Sequence, residues 1–231
     1  MDPVVKIDDT VRRVSGPWTQ AVQELLSLYR AAKIAEAPTP LGIDADGREV
    51  LTFIEGATLE EVSPEIRWST STLRASAALL RRLHDASEPL ASQDRTWRHE
   101  PHPPVEVVCH NDFAPYNLIV SDSRLVGVID FDMASPGSRL WDFAYLAYRL
   151  VPYAEDAVGF DPVRFGSRQA RLRGLIAGYR ADFSPAEVRL AAALRLDDLA
   201  AFTDRRAAET GRHEFTEHAA MYRRDSDRLR R

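Results

Sequence analysis

Between residues 105 and 142 the chain carries three short apolar runs set close together: 106–109, ending at His110; 117–120, closed by Ser121-Asp122-Ser123; and 125–131, rich in β-branched residues. Runs of this length between turn residues predict strands, the last two forming a hairpin. Both ends of that hairpin would then lie beside the loop 110–116. Upstream, 4–7 and Thr10–Val14 flank Asp8-Asp9, and 41–43 and 49–54 flank Asp44-Ala45-Asp46-Gly47, which predicts two more hairpins. Helical spacing appears at 21–34, where Val22, Leu25, Leu26 and Tyr29 share a face and Thr19 is the expected N-cap. It returns at 69–86, through Leu73, Ala77, Leu80, Leu83 and His84, and at 140–151, 168–180, 184–201 and about 214–230. Ser184-Pro185-Ala186-Glu187 has the composition of a helix start: cap, proline and acidic third residue. Residues 87–104 and 154–165 read as loops, and Ser135-Pro136-Gly137 as a turn.

Length and composition narrow the class. The 231 residues suffice for one large domain or two lobes, and 45% hydrophobic content with dispersed charge describes a globular chain. No apolar run reaches membrane-spanning length, and the first ten residues lack a basic segment followed by an apolar one, so neither a membrane span nor a signal peptide is expected. The single cysteine, Cys109, excludes an intrachain disulfide and fits a reducing cytoplasm; within an apolar run it reads as a buried small hydrophobe. A net charge of -5 gives no reason to expect nucleic acid as a partner. His84 reads as a packed histidine, His99 and His102 have no further metal-spaced partners, and the aromatic stripe Trp141, Phe143, Tyr145 and Tyr148 reads as core.

The candidate chemistry sits in the loop and hairpin of the first paragraph. His110, Asp112 and Asn117 form a His-x-Asp-x-x-x-x-Asn spacing, followed by Asp130 at the end of an apolar strand. Phosphoryl transfer from ATP needs such a set: one carboxylate to orient an acceptor hydroxyl and take its proton, and a second carboxylate with an amide oxygen to hold Mg²⁺ against the phosphates. Asp112 fits the first role, and Asn117 with Asp130 the second. A solvated turn with side-chain-to-backbone hydrogen bonds is the competing reading of residues 112–117.

The stretch CHNDFAPYNLIV…GVIDFDMASPGSRLWDFAYLAYR resembles the aminoglycoside phosphotransferase-like kinases, small-molecule relatives of the protein kinases that include a choline-kinase branch. LRRLHDAS and GIDADGREVLTFIEG extend the likeness over most of residues 4–150. The resemblance implies an α+β, protein-kinase-like bilobal fold: a truncated, β-rich N-lobe at 1–55 and a larger, mostly helical C-lobe at 56–231. It implies Asp112 as catalytic base, Asn117 and Asp130 as Mg²⁺ ligands, and His110 and Asp142 as support of the catalytic loop, with Asp142 tying it from below. It places a phosphate-pairing cation on the strand holding Val11-Arg12-Arg13, with Arg12 favoured by register over Arg13, and a partner Glu on the following helix, where Glu24 is the only mid-helix candidate. Adenine would meet hinge backbone around Thr52 and Ile54. No glycine precedes Gly16, so a truncated glycine-rich loop, a mis-assigned start or a differently held nucleotide is implied. Asp132 stands where protein kinases have Gly, which favours the small-molecule branch. The expected activity is transfer of the ATP γ-phosphate to a hydroxyl of a small molecule, aminoglycoside-like or other. The alternative is a non-catalytic kinase-fold binder, such as one conferring immunity to a peptide antibiotic. An acidic cleft for a polycationic acceptor could come from Glu155, Asp156, Asp161, Asp197 and Asp198; ordinary solubilising surface is the competing reading.

Overall fold

The computed structural model describes residues 4–231; the first three residues of the segment read for a signal peptide lie outside it. Its elements are β1 (Val5–Ile7), β2 (Thr10–Val14), α1 (Thr19–Ala31), β3 (Pro40–Ile43), β4 (Arg48–Thr52), β5 (Ala57–Thr58), α2 (Pro64–Arg67) and α3 (Thr70–Ala91). These are followed by β6 (Val107–Cys109), a 3-10 turn at Pro115–Asn117, β7 (Leu118–Ser121), β8 (Arg124–Val128) and β9 (Ser135–Gly137). Helices α4 (Arg139–Leu150), α5 (Pro162–Phe165), α6 (Arg168–Tyr179), α7 (Pro185–Thr210) and α8 (His213–Arg230) complete the chain.

The first four strands form an antiparallel sheet in the order β1-β2-β4-β3, in which Arg12 faces Val50 and Arg13 faces Glu49. Helix α1 buries the face read from the sequence, Val22, Leu25, Leu26 and Tyr29, beneath that sheet and against α3. Its start differs from the expectation: Trp18 is the N-cap residue, and Thr19 instead accepts the backbone N–H of Gly16 on its hydroxyl at 2.8 Å. Helix α3, capped by Ser69, is the axis of the helical region and packs on α6, α4 and β6. It runs five residues past its expected end. Pro89 lies in its last turns, where losing one backbone N–H does not stop the helix. The capping box at Ser184 and Glu187 forms as its composition implied, and α7 continues to Thr210 before pairing with α8.

The hairpin β7–β8 forms with Leu118 opposite Val128, and Asp122 and Ser123 take the left-handed φ values of 48° and 59° that a tight two-residue turn needs. The residues read as a turn at Ser135–Gly137 instead form β9, antiparallel to β6. Strand β6 spends its ladder on this short partner rather than on the hairpin, and on the far side of β9 Pro136 O accepts the His102 N–H at 2.9 Å.

Two contacts fix the sheet region to the hairpin. The Val128 N–H donates to Glu36 O at 2.8 Å, and Ile54 packs where a side chain on Gly127 would otherwise stand. Next to them, Gly56 has φ 146°, and a Cβ there would lie 2.5 Å from Val120 O. Gly56→Ala is therefore expected to cost about 1–3 kcal/mol, a drop in melting temperature of roughly 5 °C. An unchanged thermal unfolding midpoint would contradict this packing.

Candidate active site

The segment 110–117, expected to be the catalytic loop, is held from beneath by one carboxylate. Asp142, fully buried, accepts the backbone N–H of His110 at 2.7 Å, that of Asn111 at 2.9 Å and Nε2 of His84 at 2.9 Å. It lies in the first turn of α4, but the cap there is Ser138, whose hydroxyl accepts the Trp141 N–H at 3.1 Å. The backbone groups that Asp142 accepts belong to another segment, which is why its helix-start position alone did not reveal them. Burial by itself would raise its pKa. The hydrogen bond and charge of His84, then His110, outweigh that and leave it below the ordinary carboxylate value. His84 is in turn joined to the Tyr179 hydroxyl at 2.6 Å.

His110 spans the loop. Its Nδ1 accepts the Asp112 N–H at 3.2 Å, which leaves Nε2 to donate to Ile129 O at 3.1 Å, one residue before Asp130. Asn111 adopts φ 62°, and its carbonyl accepts the buried Arg195 guanidinium of α7 at 2.7 Å. This left-handed, non-glycine backbone is sustained only because hydrogen bonds hold it from both sides.

Asp112 is half-buried at the end of this frame. The amide nitrogen of Asn117 donates to its Oδ2 and to its backbone carbonyl, both at 2.9 Å, and the Tyr116 hydroxyl donates to Oδ1. Burial raises the Asp112 pKa, against the Tyr116 hydrogen bond, which moves it toward the range where a carboxylate is an effective base.

Asn117 and Asp130 are brought together by the hairpin. The Ile129 N–H donates to Asn117 O at 2.9 Å, so Asp130 follows directly on the residue paired with Asn117. With its nitrogen committed to Asp112, the Asn117 amide oxygen accepts no hydrogen bond among the described residues. Asp130 adopts φ 64° and keeps 43% of its side chain exposed. An uncommitted amide oxygen and an exposed carboxylate on neighbouring backbone are the hard oxygen donors that Mg²⁺ takes. Among the described residues no group of three or more His, Cys, Asp or Glu is arranged around a metal, which a two-ligand Mg²⁺ site does not require.

Strand β2 delivers a cation to the same place, one residue later than its register suggested. Arg13 pairs with Asp132 and reaches Asp130 at 3.5 Å and Glu49 at 3.9 Å. Arg12 points to the other face and pairs with Asp44 at 3.4 Å, since successive strand residues alternate. Glu24 does not pair with either arginine; it binds Arg95 at 2.6 Å. The carboxylate beside Arg13 from the small sheet is the buried Glu49, whose pKa burial raises against the opposing charge of Arg13. Asp132 is further held by Trp18 Nε1 at 3.3 Å and Arg98 at 3.1 Å. At the expected hinge, Thr52 spends its N–H on Thr39 O at 3.0 Å and Phe53 its own on Asp9 O at 2.8 Å, while the Ile54 backbone makes no backbone hydrogen bond among the described residues. Ile54 thus retains the free backbone groups an adenine would need, and Thr52 has none to spare on its nitrogen.

The five acidic residues considered for a cationic acceptor are all engaged. Asp156 pairs with Arg149 at 3.1 Å, and Asp198 with Arg195 at 3.1 Å and His102 at 3.6 Å. Glu155 pairs with Arg224 and Arg228, Asp197 binds Arg230 and Ser226, and Asp161 caps α5 through the Val163 N–H. His99 and His102 join no metal cluster, Cys109 is buried as expected, and Phe143, Tyr145 and Tyr148 are core. Spacing gave no sign of Arg195, Glu49 or the His84–Asp142 pair, because each acts across distant segments. Tyr116 was readable in part: four residues after Asp112, on a tight turn, a long side chain can fold back onto it.

The model of the phosphotransferase enzyme family matches residues 90–191. The trifolitoxin immunity protein of Rhizobium leguminosarum bv. trifolii is 32% identical over 194 residues, covering 76% of this chain and 69% of that protein. Among solved structures, an ethanolamine kinase of Plasmodium vivax superposes with a TM-score of 0.68 at 11% identity, over 98% of this chain and 82% of that one. An amicoumacin kinase in complex with AMP-PNP, Ca²⁺ and Ami gives 0.66 at 12%, over 98% of this chain and 88% of that one. A choline/ethanolamine kinase family protein of Mesorhizobium loti gives 0.60 at 17%, over 98% and 84%. The fold is protein-kinase-like and bilobal.

Proposed function

Because the chain belongs to the phosphotransferase enzyme family, we propose that it transfers the γ-phosphoryl group of ATP to a hydroxyl of a small molecule. The observation that carries this reading is the convergence of Asp112, Asn117, Asp130 and Arg13 at one end of the β7–β8 hairpin. Asp112 orients the acceptor hydroxyl and takes its proton. Asn117 and Asp130 would hold Mg²⁺, which offsets the charge of the β- and γ-phosphates. Arg13, already facing three carboxylates, has the charge and reach to exchange one of them for a phosphate oxygen. The Ile54 backbone is the adenine contact in this reading.

The pairing of the five acidic residues gives no support to a polycation as the acceptor. Each of them is already matched to an arginine or a cap. The name of the relative at 32% identity favours a second reading beside this one, immunity by binding a toxic compound without modifying it. A transfer assay with γ-labelled ATP over hydroxylated acceptors of differing charge separates the two: labelled product supports the kinase, and tight binding of a compound with no label transfer supports the binder.

Charge also fixes a metal dependence. ATP brings several negative charges beside Asp112 and Asp130, so nucleotide binding requires Mg²⁺. Asp130→Asn is expected to weaken Mg·ATP binding by roughly tenfold or more, and Asp112→Asn to leave it nearly unchanged, read by calorimetric titration. Equal affinities for the two variants would count against the assignment of roles.

A further inference from the structure

The base already has a hydroxyl on it. Tyr116 donates to Asp112 Oδ1, and since its proton is used there, the Tyr145 hydroxyl at 3.0 Å donates to the Tyr116 oxygen. The Arg149 guanidinium lies 5.9 Å from the Tyr116 ring and 5.7 Å from that of Tyr148, and is itself fixed by Asp156. The other carboxylate oxygen, Oδ2, is turned toward the Asn117 amide. An acceptor that gives its proton to Asp112 must present an O–H to a carboxylate oxygen, and Oδ1 is the one not committed to the metal-side residue.

We propose that Tyr116 is an internal stand-in for the acceptor, its hydroxyl filling the acceptor's place on Asp112 until substrate displaces it and so denying that place to water. This rests on the kinase reading above. The reaction it suppresses is hydrolysis: the water oxygen bonds to the γ-phosphorus, the bond to the bridging oxygen breaks, ADP leaves with the electron pair, and the water proton passes to Asp112. Tyr116 is a positioning residue, acting through the base. The acceptor class that can compete carries an aliphatic hydroxyl small enough to enter where a phenol now sits between Asp112 and Tyr145.

The test uses Mg·ATP with water as the only acceptor. ADP release is measured for the wild type, Tyr116→Phe and Tyr145→Phe, beside calorimetric titration of each with Mg·AMP-PNP. Tyr116→Phe is expected to raise hydrolysis roughly tenfold, the worth of one hydrogen bond to a carboxylate, at unchanged AMP-PNP affinity. Tyr145→Phe, which only loosens Tyr116, should raise hydrolysis by a smaller factor and carries the test alone should Tyr116→Phe not fold. Hydrolysis equal to or below that of the wild type, at unchanged nucleotide affinity, overturns the proposal and leaves Tyr116 as an orienting contact. A wild type that binds no Mg·AMP-PNP overturns the kinase reading itself, and this inference with it.

Discussion

Asp112→Asn is expected to lose phosphoryl transfer by about 10²–10⁴-fold, the usual worth of a positioned general base, while still binding Mg·AMP-PNP. The substitution preserves shape. The new amide oxygen can still accept from Asn117 Nδ2, and the new NH₂ can meet the Tyr116 hydroxyl, which then turns from donor to acceptor. It removes one negative charge beside Asp130, so nucleotide affinity should stay level or rise slightly. The expected pattern is a fall in turnover at constant nucleotide affinity, which marks an interaction made in the transition state. Parallel loss of nucleotide binding and transfer would mean that Asp112 holds the nucleotide instead. Single-turnover transfer and calorimetry on the same preparation separate these outcomes.

Asp142→Ala should be the most destabilising single change in the site. It leaves the buried N–H groups of His110 and Asn111, and Nε2 of His84, without their acceptor. Each unsatisfied buried donor costs about 1–3 kcal/mol, so the total is expected near 3–5 kcal/mol, a large share of the roughly 5–15 kcal/mol that holds a domain folded. The melting temperature should fall by about 10 °C, and activity with it, since the same bonds place Asp112. Because the folded-state pKa of Asp142 lies below its ordinary value, its contribution is fully present above the ordinary carboxylate range and is lost as pH falls through the folded value. The stability difference between wild type and Asp142→Asn should therefore shrink as pH falls below the ordinary carboxylate range. A difference that grows on acidification, or an Asp142→Ala protein that melts with the wild type, would contradict the brace.

Local patterns carried far in this chain, and they stopped where contacts cross between segments. Helical spacing marked the buried face of α1, alternation with turn residues marked the β7–β8 hairpin, and the spacing of His110, Asp112 and Asn117 marked the loop. The register expected from the sequence favours Arg12, and the structure brings Arg13 to Asp130 instead, because one position of register reverses which side chain meets it and nothing nearby in sequence fixes that register. Ser135–Gly137 has turn composition, and only its pairing with β6 makes it a strand. The Arg13–Glu49 and His84–Asp142 pairs join residues 36 and 58 positions apart, and such pairs leave no periodic trace. For the same reason the five acidic residues looked available for a cationic acceptor until each was seen beside its arginine or cap.

If the end of the β7–β8 hairpin is a Mg²⁺-dependent nucleotide site, calorimetric titration of the wild type with AMP-PNP, with and without Mg²⁺, reveals it without any acceptor being known. Saturable binding at one site that requires Mg²⁺ is the expected result; absence of saturable binding under either condition, or equal binding under both, would contradict it.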